Sequence, residues 1–189
     1  MIGVEVLVKL LAPDPWSFTV FDTLNRKFGL EEIVGIERIK SWDLEYDVVA
    51  AEQALEATGR ILRETVLLAN PNRDISQMRA DVSEPAKPGI WKMRDAVKGA
   101  FVVKVRDMSD QVGDGVTRIA RLRLGMGSLE RVRFSTAWVI EMSSGESRSR
   151  EIAGEVALLK SRGKGLLANP HSQEAEVLSA GAYLLGGEG

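Results

Sequence analysis

The only histidine of the chain, His171, is the one side chain whose ordinary pKa would let it move protons near neutral pH. A catalytic histidine needs a positioned acid or nucleophile, and none stands beside this one, so it reads as a loop residue. Cysteine is absent, which excludes a thiol nucleophile, a thiolate metal site and a disulfide framework. Gly163-Lys164-Gly165 suggests a phosphate loop but lacks the upstream glycine spacing and the hydroxyl residue after the lysine. Gly125-Met126-Gly127 lacks the third glycine and the preceding strand of a dinucleotide fingerprint. Both read as turns. Two charged sets remain. Asp43, Glu45 and Asp47 alternate, so a strand would put them on one face, where they could hold a cation, meet a basic partner or simply face water. Arg118, Arg121, Arg131 and Arg133 could bind an anion, or form the wet side of a helix and a strand. Trp42 and Trp138 lie outside any basic-aromatic cluster and read as core or interface anchors. No catalytic, cofactor-binding or metal residue is assigned.

The elements that position these residues are organised by repetition. Leu67-Leu68-Ala69-Asn70-Pro71 recurs as Leu166-Leu167-Ala168-Asn169-Pro170, 99 residues later, while Trp42 and Trp138 are 96 apart. The chain therefore reads as a tandem duplication, with a three-residue insertion expected between Ser143 and Arg150 as a lengthened loop. In the first copy Val4, Val6, Val8 and Leu10 alternate as a strand. Asp14 and Pro15 open a helix carrying Phe18, Phe21, Leu24 and Phe28, which Gly29 ends. Ile33 to Lys40 and Trp42 to Val48 read as two strands of a hairpin. Ala51, Ala54, Leu55, Thr58, Leu62, Thr65, Val66 and Ala69 form one stripe of a second helix, with the pentapeptide as its last turn. Arg73 to Val82 can add a closing strand. The second copy repeats the order: Phe101, Val103 and Val105 on a strand, Asp114 capping a helix, and Ile152, Val156 and Leu159 on a helix weakened by Gly154, Gly163 and Gly165. The expected architecture is α+β: two βαββαβ units packed as an intramolecular pseudo-dimer, with antiparallel sheets and helices on one face. The expected divisions are a first unit at 1–80, a linker at 81–99, a second unit at 100–180 and a flexible tail at 181–189.

Charge supports the pairing of the copies. Residues 1–80 carry 9 basic and 13 acidic side chains, whereas residues 100–170 carry 12 basic and 8 acidic. Opposite signs favour contact between unlike copies over contact between like ones. The formal net charge of -2 gives no reason to expect nucleic acid or an anionic membrane as a partner. The N-terminus lacks the pattern of a signal peptide, and no apolar run approaches the ~20 residues of a membrane span, so a cytoplasmic protein is expected.

A short unit of this order, with an acidic alternating strand and a second helix ending in Leu-Leu-Ala-Asn-Pro, resembles PurS, the small subunit of phosphoribosylformylglycinamidine (FGAM) synthase. The resemblance spans Val4 to Met78 and, through Leu166 to Pro170, Ala100 to Val177. It implies a non-catalytic role in purine biosynthesis, bridging the PurL synthetase subunit and the PurQ glutaminase subunit. It also implies that ATP, magnesium and glutamine are used by the complex, with no cofactor bound by this chain. The repeated pentapeptide would then be a structural or partner-contact motif, and a further homodimer is compatible with the pattern. The alternative is a regulatory protein that senses a small molecule between paired ferredoxin-like units.

Overall fold

Ser41 is the only residue between the two segments expected to form a hairpin, and one serine cannot supply the left-handed pair that a tight hairpin turn requires. A computed structural model, which describes residues 1–80, 84–95, 97–158 and 166–186, accordingly shows a single unbroken strand there. The order is β1 (Ile2–Leu10), α1 (Pro15–Asp22), β2 (Ile33–Tyr46), α2 (Ala51–Glu64), β3 (Asp74–Arg79), β4 (Gly99–Asp107), α3 (Gln111–Leu124), β5 (Leu129–Met142), α4 (Glu146–Leu158), β6 (Gln173–Ser179) and α5 (Ala180–Leu184). Each half is thus βαβαβ, and the expected βαββαβ order is corrected. The apolar pattern changes phase near Ser41 because β2 is buried on both faces: Trp42, Leu44 and Tyr46 point to one core and Ile39 to another.

The class is α+β, built on one six-stranded antiparallel sheet of order β3-β1-β2-β5-β4-β6. That order is symmetric about the central pair. β2 and β5, 14 residues each, run antiparallel from Ile33↔Met142 to Tyr46↔Leu129, and Lys40↔Thr136 lies at the centre of symmetry. A strand of that length extends about 46 Å, roughly twice the reach of an ordinary strand, so its two ends serve different cores.

Consequently the first helix of each half crosses to the other half. Leu24, with Val20, Phe21 and Phe28, packs among Phe101, Val103, Ile140 and the α4 residues Ile152 and Val156. Reciprocally, Val116 and Ala120 of α3 pack among Val4, Val6, Leu44 and the α2 residues Ala54 and Ile61. Side chains of this size stabilise by roughly 1.5–3 kcal/mol each when fully buried, and here that gain requires both halves together.

The opposite face of the sheet is also covered, contrary to the expectation of helices on one face only. Ile90 and Trp91 of the connecting segment, with Tyr183 and Leu184 of α5, lie on Leu7, Ile39, Val102, Ala137 and Val139. Residues 181–184, expected to belong to a loose tail, are therefore helical and packed. This second core covers that face of the sheet from within the chain.

Local signals explain the rest. Asp14 accepts the Trp16 N–H and Pro15 follows it, as the sequence indicated; α1 then continues into a π-turn over Thr23–Lys27 and ends before Gly29, whose φ is 67°. The helix is less buried than its stripe suggested, since Phe18 faces solvent. In the second half Asp110, not Asp114, is the cap: its side chain accepts the Gly113 N–H, and Asp114 sits in the first turn. Gly125, at φ 65°, ends α3. The insertion is displaced too. Ala54, Thr58 and Ile61 are buried at an offset of 95 from the buried Ser149, Ala153 and Val156, and the turn before α4 is no longer than that before α2. The offset reaches 99 only at the pentapeptides, so the extra residues lie after Leu158. Leu159 and Gly163-Lys164-Gly165 fall outside the described residues. Among the described residues, no helix is long and apolar enough to cross a membrane.

Candidate functional site: repeated turns, a charged seam and an edge cavity

α2 ends at Glu64, before the first pentapeptide, so the motif is not the last helical turn but the bend that delivers the chain to an edge strand. Leu68 and Ala69 are buried under the first core, and Leu167 and Ala168 under the second. Leu67 and Leu166 pack beside them, while Pro71 is exposed. The asparagines build the same turn twice. The Asn70 side-chain carbonyl accepts the Asn72 N–H at 3.1 Å, and its backbone carbonyl accepts Arg73 and Asp74 N–H at 2.9 and 2.8 Å. The Asn169 side chain accepts the His171 N–H at 3.1 Å, and its carbonyl accepts Ser172 and Gln173 N–H at 3.0 and 2.8 Å. An acceptor on the incoming strand closes each turn, Asp74 taking the Asn70 N–H and Gln173 the Asn169 N–H at 2.9 and 2.8 Å. Asparagine suits both sites because its side chain imitates a backbone carbonyl in such turns. Pro170 precedes His171, which is exposed in the second turn and contributes its backbone N–H.

The acidic row meets basic residues of the other half. Asp43 pairs with Lys104 at 3.2 Å and with Arg106 at 3.0 Å, and Glu45 pairs with Arg133 at 3.3 Å. Asp47 stays exposed. The four arginines do not converge: Arg121 pairs with Glu130 at 3.2 Å, and Arg118 and Arg131 face water. Among the described residues no group of histidine and carboxylate side chains could hold a metal.

A buried ionic cluster extends this seam, and sequence reasoning missed it. Glu5 pairs with Arg79 at 2.7 Å and Lys104 at 3.2 Å, accepts the Ser41 hydroxyl at 2.6 Å, and accepts the Tyr183 hydroxyl. Arg79, 1% exposed, also donates to the Glu84 and Tyr183 carbonyls at 3.0 and 2.8 Å and lies 4.9 Å from the Tyr183 ring. Burial pushes the Glu5 carboxyl up, but Lys104, Arg79 and the two hydroxyls outweigh it and hold it at about 2. Burial and the Glu5 carboxylate raise Tyr183 well above the usual phenol range. The cluster's partners all come from within the chain, so it locks α5 and β3 onto the sheet. The legible signal was a glutamate in the middle of a mostly apolar strand.

Trp42 and Trp138 are both buried at the central pair. Trp42 stacks on its register partner Phe134 with centroids 4.6 Å apart, and Trp138 faces its register partner Arg38, whose guanidinium lies 5.9 Å from the rings of Trp138 and Trp16. Beside Arg38 lies a cavity of about 490 Å³, between the end of β1, α1 and the start of β2. Leu11, Phe18 and Phe21 give it an apolar wall, and Lys9 and Glu37, paired at 2.7 Å, stand at its rim. Gly125, Met126 and Gly127 form the end of α3 and the turn into β5, with Met126 in the core.

No model of a known protein family matches the chain, and no curated protein matches it.

Proposed function

We propose that the chain acts as a non-catalytic PurS-type subunit of FGAM synthase, a PurS-like pseudo-dimer in one polypeptide that bridges the PurL synthetase and the PurQ glutaminase. The observation that carries this reading is the Leu-Leu-Ala-Asn-Pro pair, which makes one and the same hydrogen-bonded turn in both halves and feeds the two edge strands of a symmetric sheet. A bridging role asks for a rigid body with two related surfaces, and a sheet shared by two halves with exchanged helices supports that requirement. ATP, magnesium and glutamine would be handled by the partners, in the cytoplasm, and the contribution of this chain would be alignment for ammonia transfer.

The test is reconstitution. Purified PurL, PurQ and this chain are mixed with ATP, magnesium, glutamine and the ribonucleotide substrate, and complex formation and glutamine-dependent turnover are followed. The proposal expects a ternary complex and a gain in turnover; no complex and no gain on adding the chain would reject it.

The cavity beside α1 favours a second reading, a small-molecule sensor, with the ligand at the edge of the first half rather than between the paired units. Thermal-shift screening with amino acids and nucleotides separates the two, since an effector at 100 times its Kd stabilises by about 2.7 kcal/mol.

A further inference from the structure

β1 and β4 are shorter than the long strands they pair with. β4 covers β5 only from Thr136 to Met142, and β1 covers β2 only from Lys40 to Tyr46. The remaining outer edges, near Val132 and Phe134 in the second half and Ile36 and Arg38 in the first, carry backbone groups that alternate in direction along the strand. Native proteins cover or blunt such edges.

The second half covers its edge with α3. The Val132 N–H donates to the Thr117 hydroxyl at 2.8 Å and the Phe134 N–H to the Asp110 carboxylate at 2.7 Å. The helix comes this close because Gly113 has no side chain: a Cβ there would lie 2.3 Å from the Val132 carbonyl oxygen.

At the same 96-residue offset the first half has Asp14, Ser17 and Phe21 in place of Asp110, Gly113 and Thr117. Phe21 has no hydroxyl to offer. Ser17 has the side chain that Gly113 lacks, and its hydroxyl donates to Asp14 at 2.9 Å. Asp14 is turned to the Arg38 guanidinium, at 2.8 Å, rather than to a backbone N–H of β2. Among the described residues no side chain takes the Ile36 or Arg38 N–H, and the cavity of about 490 Å³ stands where the plug would be.

We infer that this uncovered edge of β2 is a binding slot for an extended polypeptide segment, which adds as a strand in line with β1 and pairs with the backbone of Ile36 and Arg38. The commitment to a peptide follows from the chemistry left open. Two sets of backbone donors and acceptors, two residues apart, match the spacing of an added strand. The charges around the slot are already paired, Lys9 with Glu37, Asp14 with Arg38 and Arg94 with Glu141, so an ionic ligand has no counter-charge to claim. The segment presents apolar side chains to Phe18, Phe21 and Leu11, and polar ones to the Lys9 and Glu37 side. Leu11 and Phe18, 65% and 70% exposed, stand ready at the mouth. This slot is independent of the bridging role proposed above.

The test needs neither synthetase nor glutaminase. The probe is the peptide acetyl-Lys-Val-Thr-Val-Thr-Val-Lys-amide, titrated into the full chain while amide hydrogen exchange is followed by NMR. In the free chain the Ile36 and Arg38 amides are expected to exchange at least 100-fold faster than Val132 and Phe134, and saturating probe slows them at least tenfold. Installing the plug of the second half, Ser17→Gly with Phe21→Thr, weakens binding at least tenfold. A probe N-methylated on its edge-facing amides loses binding in the unaltered chain, which keeps the test valid if the double variant folds poorly. Protection of Ile36 and Arg38 equal to that of Val132 and Phe134 without probe overturns the inference. So does equal binding of the N-methylated probe, which would mark a cavity that accepts apolar molecules in general, or the absence of any binding or slowed exchange into the millimolar range.

Discussion

Replacing Glu5 by valine probes the buried cluster through a comparison the protein itself contains. Glu5 and Arg79 face each other across β1 and β3, and the equivalent pair across β4 and β6 is Val102 and Leu178. Glu5→Val alone removes the carboxylate that pairs with the Arg79 guanidinium, 1% exposed, while the Glu84 and Tyr183 carbonyls still accept from Arg79 and Lys104 keeps Asp43 at 3.2 Å. Breaking a buried pair from one side costs about 3–5 kcal/mol, whereas replacing both members by apolar residues is often neutral or stabilising. At 189 residues, such a loss lowers Tm by roughly 6–20 °C. Glu5→Val/Arg79→Leu, which copies the second half, should recover most of it. Chemical denaturation of the wild type, both single variants and the double variant gives the coupling energy directly. A loss below about 1 kcal/mol for Glu5→Val, or a double variant as unstable as the worse single one, would refute the reasoning.

The same carboxylate sets an acid limit. Glu5 is held at about 2 against an ordinary 4.5, a depressed value, so its contribution is complete above pH 4.5 and is lost as pH falls toward 2; urea midpoints should record a loss on the order of 3 kcal/mol that Glu5→Gln lacks. Asn70→Ala and Asn169→Ala should each cost about 1 kcal/mol, because each removes one turn-closing acceptor, and thermal melts should give similar values for the two turns. Trp91→Ala should cost about 3–5 kcal/mol, since the ring is 2% exposed on the second sheet face; a loss under 1 kcal/mol in denaturant titration would show that the connecting segment does not pack there.

Local chemistry was legible in the sequence wherever one residue decides the backbone. Asp14 with Pro15, and Gly29 and Gly125 with their left-handed φ values, marked helix ends correctly. So was the repetition that organises the sheet, from the two pentapeptides and the spacing of Trp42 and Trp138. The hairpin reading of β2 failed because alternation reports a strand buried on one face, and this strand is covered on both. The α5 segment was read as loose on the strength of its glycines, although Tyr183 and Leu184 between them carry the apolar surface that docks it. The exchange of α1 and α3 between halves was beyond reach, because a helix stripe shows that a face is buried and not which strands bury it. The charged seam was half visible: the acidic row and opposite charges of the halves were apparent, but its members Lys104, Arg106 and Arg79 become neighbours only through the register.

The central claim is that β2 and β5 join the two halves in one antiparallel register about Lys40 and Thr136. The Val132 and Phe134 N–H groups point away from the shared seam toward α3, and Thr136 follows them in the same phase. Its pair with Lys40 is therefore of the non-hydrogen-bonded type, with Cα atoms about 4.5 Å apart and within disulfide reach. The chain contains no cysteine, so Lys40→Cys/Thr136→Cys introduces the only two thiols. Mild oxidation followed by mass spectrometry should give an intrachain disulfide between these two positions in nearly all molecules, with the chain still monomeric. Free thiols after oxidation, or links only between separate chains, would contradict the shared sheet.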